Sequence, residues 1–152
     1  MSVEQRIKEL GFELPPPPKP VGAYVQAART GNLVYTAGQI PTRDGKLIVA
    51  GKVPTDVSLD EAQNAARVAV LNGLAAIGGL VGSPDAIKRV VRINVFVNSA
   101  PGFTEHAKVA NGASEFLVAV LGEAGRHSRC AIGAAELPLN APVELDMIVE
   151  VG

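Results

Sequence analysis

The chain has 152 residues, with 14 Lys+Arg against 15 Asp+Glu and a formal net charge of −1. That length fits one domain, at a prior of about 150 residues each, and is long enough to bury a core without disulfide or metal staples. A content of 47% apolar and 19% charged residues excludes a disordered chain, and near-neutral charge with 4% aromatics and no Trp argues against a dedicated nucleic-acid binder. The single cysteine, Cys130, rules out an intrachain disulfide and fits a reducing, cytoplasmic setting. No leader or membrane span is expected. Residues 1–14 carry charge from Glu4 onward, and the apolar stretch 68–82 is broken by Asn72 and falls short of about 20 residues.

Taken in chain order, Val3, Ile7 and Leu10 at i, i+4, i+7 predict a short amphipathic helix ending at Gly11. The following Leu14-Pro15-Pro16-Pro17-Pro18-Lys19-Pro20 must be extended, a stiff spacer of about 3.1 Å per residue. Residues 1–20 therefore read as an appendage, tying the first helix to a body over 21–152. A ligand for a proline-binding groove is the alternative. Strands are expected over 24–29 and 33–39, joined by a hairpin at Thr30-Gly31-Asn32, and a short strand over 47–50 after the turn 42–46. Ser58-Leu59-Asp60-Glu61 is a capping box opening a helix to about Gly78, whose alanines (Ala62, Ala65, Ala66, Ala69) permit close packing. Residues 89–98 alternate and are β-branched, which makes a strand. Pro101-Gly102 breaks it, a second helix runs to about Gly122, and strands over 129–137 and 143–151 close the chain. The order is α+β, with two helices available to cover one face of one sheet.

Two helices leave the second face of such a sheet bare. On the last strand Val143, Leu145, Met147, Val149 and Val151 share one side, and Glu144, Asp146, Ile148 and Glu150 the other. On the strand before it, Arg129, Ala131, Gly133 and Ala135 fall together, with Cys130, Ile132, Ala134 and Glu136 opposite. One arginine followed by three tiny residues leaves room for a ligand or another chain beside the guanidinium. The plainer alternative is a sheet face on which Arg129 pairs with a carboxylate such as Asp146. Either way a half-covered, partly apolar sheet predicts a homo-oligomer.

Common catalytic signatures are missing. His106, His127 and one Cys form no metal-ligand spacing, and no phosphate-cradling glycine motif or G-x-S-x-G elbow occurs. Cys130 shares its strand face with Ile132 and Ala134, which points to a buried, inert thiol. Lys88, Arg89 and Arg92 read as a solvated edge.

Gly22-Ala23-Tyr24-Val25-Gln26, Thr36-Ala37-Gly38-Gln39-Ile40-Pro41, Val95-Phe96-Val97 and an arginine eight residues before Leu137-Pro138 resemble the reactive intermediate deaminase family (RidA/YjgF, also labelled endoribonuclease L-PSP-like) over about residues 21–151. The leading helix and proline run, with Asn111-Gly112-Ala113-Ser114-Glu115 and the segment 122–127, resemble its longer branch. The resemblance implies a chorismate-mutase-like α+β fold, a homotrimer with clefts between subunits, and hydrolysis of enamine or imine intermediates such as 2-aminoacrylate to 2-keto acids and ammonia. It implies no cofactor and no metal, and as partner a small carboxylate-bearing imine or keto acid rather than membrane or nucleic acid. Carried over singly, it implies Arg129 as the carboxylate anchor, Tyr24, Gly38 and Asn111 as pocket residues, and Asp146 with the Ala131 carbonyl as holders of the attacking water. An arginine suits the anchor because its planar fork makes two charge-assisted bonds and stays charged. Three positions depart from the family pattern: Ala37 stands for serine, Ala131 for cysteine and Asp146 for glutamate. The competing functions are a carboxylate-binding module without turnover, which Ala37 and Asp146 would permit, and a ribonuclease, which the neutral charge disfavours.

Overall fold

A computed structural model describes residues 1–152. Five strands form one sheet in the order β1-β2-β7-β5-β6: β1 (Ala27–Thr30), β2 (Leu33–Thr36), β5 (Ile87–Asn98), β6 (Ser128–Ala134) and β7 (Val143–Val151). Thr42–Arg43 and Lys46–Leu47 (β3 and β4) make a separate two-stranded hairpin. All pairings in the main sheet are antiparallel except β5 with β6, whose crossover is the helix α3 (His106–Leu121). With α2 (Leu59–Val81), α3 covers one face of the sheet, and α1 (Val3–Glu9) is a third, shorter helix.

The period-2 pattern decides what each face does. Val143, Leu145, Met147, Val149 and Val151 of β7 are buried, and the register partners of the first four, Val97, Val95, Ile93 and Val90 on β5, are fully buried beside them. Against this layer α2 lays Ala62, Ala65, Ala66 and Ala69, and α3 lays Val109, Ala113, Leu117 and Val120. A Cβ at Gly112 would fall on the Gln63 backbone, so glycine there lets α3 approach α2 closely. Both capping bonds expected at Ser58 and Glu61 are formed. The helix continues past Gly78 to Val81 and ends where Gly82, at φ 100°, takes a conformation that side chains resist. By length and composition α2 could cross a bilayer, but 67% of its apolar stretch is buried inside the fold, as a core helix requires.

Residues 1–20 lie on the body. Ser2 caps α1 in a second capping box, Asp85 accepts a hydrogen bond from the Val3 amide at 2.8 Å, and Val3 and Ile7 are buried in the common core. Phe12 packs edge-on against Phe116 of α3, with ring centroids 5.1 Å apart, and Pro17 sits on Gly79 of α2. The proline stretch is extended but serves as a strap rather than a free arm. The first two strands are shorter than their patterns: Gln39 keeps only an isolated bridge to Leu145, and β2 ends at Thr36. Likewise β6 stops at Ala134, before a 3-10 turn over Pro138–Asn140.

Candidate active site

Arg129 is the second residue of β6, beside Ile93 of β5, which in turn sits beside Met147 of β7. Partners across a ladder point to the same side. Arg129 therefore lies on the helix-facing side of the sheet, at its β6 edge, and not on the bare side. There its Nη1 donates to Asn111 Oδ1 at 2.8 Å and to Ser114 Oγ at 3.1 Å. Asn111 and Ser114 are three apart on α3 and so share one helix face. His127 completes the cluster, with Nε2 2.9 Å from Ser114 Oγ and Nδ1 2.6 Å from the Gly125 carbonyl. Burial lowers the His127 pKa below its ordinary 6.5; the Gly125 bond opposes this and the Arg129 charge adds to it.

The small residues beyond Arg129 leave this strand only partly covered. Ala131 is half-buried and Gly133 exposed, and a Cβ at Gly133 would meet His106 Nε2 and Ser99 Oγ, which lie 3.0 Å from each other.

The bare face carries a different set. Asp146 Oδ1 accepts from Asn94 Nδ2 at 2.9 Å, and Asn94 Oδ1 from Arg92 Nε at 3.2 Å. Glu144, two residues before Asp146 on the same side, packs its carboxylate directly against Gly38, where any side chain would displace it. Burial raises the Glu144 carboxyl above its ordinary 4.5, and the negative charge of Asp146 raises it further. Cys130 also lies here, in register with Asn94, half-buried rather than enclosed, and its neighbour Ile132 is 47% exposed. The buried-thiol expectation fails because the helices cover the other side.

Of the residues singled out from sequence, Arg129 and Asn111 are in direct contact, with Ala131 next on the same side. Gly38 and Asp146 belong to the bare face. Tyr24 is 46% exposed in the bend before β1, its ring over Gly22. The Arg129–Asp146 pair does not form: strand parity puts them on opposite faces, and none of the ion pairs includes either. Two groups escaped the sequence reading. Glu144 could have been found as the second carboxylate at i−2 from Asp146. Ser114 and His127 lie in segments that resemble the family's longer branch, but no spacing linked them to Arg129; only the fold joins them to it.

The sequence matches the family described as "YjgF/chorismate_mutase-like, putative endoribonuclease" over residues 4–151. Protein TCP17 of Trypanosoma cruzi is 41% identical, over 97% of this chain and 93% of its own. A Dermatophagoides farinae protein named 2-iminobutanoate/2-iminopropanoate deaminase is 31% identical, over 87% and 88%. Among solved structures, Atu1372 of Agrobacterium tumefaciens, a protein of unknown function, superposes with a TM-score of 0.91 at 46% identity, over 99% of this chain and 92% of that one. The mixed sheet with its helices, the arginine-bearing edge strand and these matches together place the chain in the YjgF/RidA family.

Proposed function

We propose that the chain hydrolyses enamine and imine intermediates of the 2-aminoacrylate class to 2-keto acids and ammonia, as a homotrimer. One observation carries this reading. Arg129 is tied back to α3 through Nη1 alone, which leaves its Nε–H and Nη2 edge without a protein partner. That free edge is the fork a substrate carboxylate takes in two parallel bonds. The similarity to a protein named as an imine deaminase supports the substrate class.

The chemistry asked of the protein is modest. The enamine takes a proton on carbon to become the imine, water adds to the imine carbon, and the carbinolamine expels ammonia. Holding the carboxylate supplies orientation. A carboxyl group titrating nearer neutrality than usual can move the protons, typically a 10²–10⁴-fold contribution. Glu144 fits that role better than Asp146, because its pKa is raised and it lies on Gly38, whereas Asp146 is held by Asn94. A small molecule cannot touch both faces of one sheet through its strands. Arg129 and Glu144 are therefore joined across two copies, the free edge of β6 on one meeting the bare face of the next.

A carboxylate-binding module without turnover is the second reading, favoured by Ala37, which removes a hydroxyl from the segment beside Gly38. The deciding experiment generates 2-aminoacrylate in situ with a serine dehydratase and follows its loss with a trapping amine, comparing wild type with Arg129→Ala. Sizing confirms that both assemble alike. Acceleration by the wild type alone supports the deaminase. Carboxylate binding without acceleration supports the module.

A further inference from the structure

The groups behind Arg129 form a hydrogen-bond chain with one direction. A carbonyl can only accept, so His127 Nδ1 carries a proton toward Gly125 O at 2.6 Å. In the uncharged ring Nε2 is then an acceptor, and Ser114 Oγ, 2.9 Å away, donates into it. With its single proton committed, Ser114 Oγ has only lone pairs to offer Arg129 Nη1 at 3.1 Å. Burial keeps the ring uncharged near neutrality, since it lowers the imidazole pKa. The other charged groups nearby are engaged elsewhere or point to solvent: Arg126 pairs with Glu123 at 3.0 Å, Arg92 bonds Asn94, and Glu115 is exposed on α3.

We propose that His127, acting through the Ser114 hydroxyl, is the positioning residue for the Arg129 anchor. It sets the direction of the Ser114 O–H, the serine with Asn111 pins Nη1 to α3, and the Nε–Nη2 edge is thereby presented as a rigid fork. This rests on the reading of Arg129 as the carboxylate anchor. Without the chain, substrate would have to order a mobile guanidinium on binding. That cost falls equally on ground and transition states, so it raises KM and leaves kcat unchanged.

The test measures 2-aminoacrylate kinetics and direct binding of 2-oxobutanoate for wild type, Ser114→Ala, Ser114→Thr, His127→Phe and the double variant His127→Phe/Ser114→Ala. Loss of one such bond, at about 1–1.4 kcal/mol, raises KM and the 2-oxobutanoate Kd roughly 5–10-fold in either Ala or Phe variant. The double variant is no worse than the singles, because both cut the same chain. Ser114→Thr, which keeps the hydroxyl, binds like wild type. Additive effects in the double variant, an unchanged KM in Ser114→Ala, or a kcat that falls as far as kcat/KM would overturn the proposal. If wild type neither turns over nor binds, the anchor reading fails instead. The positioning is then judged by ¹⁵N NMR of the arginine side chain: Nη1 rotation slowed in wild type and freed in His127→Phe upholds it, and free rotation in wild type refutes it.

Discussion

Strand β7 builds two surfaces from one sequence. Its odd residues, Val143 to Val151, enter a dry layer in which nearly every neighbour is aliphatic. Its even residues put Glu144 and Asp146 two apart on a face that no helix covers, where burial and mutual repulsion raise the Glu144 pKa. The covered face is settled: its groups match and nothing is left to pair. The bare face holds like charges together and half-exposes Tyr35 and Ile132, which costs the single chain stability. Such cost is tolerated where a site or an interface needs it. Arg129 belongs to neither surface cleanly. It sits at the edge of the covered layer, where α3 supplies polar partners in place of aliphatic ones.

That contrast can be broken by substitution. Glu144→Gln should lower deaminase turnover by about 10²–10⁴-fold, the contribution of a lost acid–base group. The same change should raise the melting temperature at neutral pH, since it removes a charge from an unfavourable setting; a fall in melting temperature would show that the carboxylate is stabilising. On the covered face, Leu145→Ala should cost about 2–5 kcal/mol in denaturant unfolding. Ile148→Ala, three residues on and on the other side, should move the single chain's stability by about 0.5 kcal/mol. Equal costs would erase the distinction between the faces. Replacing Asp85 by Ala, which leaves the Val3 amide uncapped, should cost about 1 kcal/mol and expose the first residues to protease earlier than the rest.

The pH dependence of stability sharpens the comparison further. A folded Glu144 holds its proton more tightly than the unfolded chain does. Stability should therefore fall as pH rises from its ordinary 4.5 through the raised value, and Glu144→Gln should remove that slope. His127 works in the opposite sense. Its folded pKa is lowered, so the unfolded ring protonates first, and stability present at neutral pH is lost as pH drops below 6.5. In His127→Phe that loss should vanish. Melting curves of the two variants across this range separate the contributions.

Much of this was legible in the sequence because it is local. Alternation over 89–98 and 143–151 named the two central strands, and the Ser58 capping box fixed the start of α2. Parity along β6 grouped Arg129 with Ala131 and Gly133 but could not say which side the helices take. The parallel pairing with β5 decides that, by aligning Arg129 with Ile93. Parity was equally silent between Glu144 and Asp146, which share a face; contact with Gly38, far away in the chain, separates them. Gly78 looked like the end of the helix, yet the helix runs on to Val81, and Gly79 is the seat for Pro17. The amphipathic pattern of the first ten residues was visible, but the docking of α1 and Phe12 depends on α3 and the turn over Pro84–Ala86, which are far away in the chain.

The central claim is that a working site needs Arg129 from one copy and Glu144 from another. Arg129→Ala and Glu144→Gln proteins, each inactive and each assembled, would be unfolded together and refolded as a mixture, then assayed for 2-aminoacrylate loss. Random assembly gives an intact pairing at about a quarter of the shared sites, so activity should return to about that fraction of wild type. Mixed assemblies, confirmed by mass, that stay inactive would contradict the account.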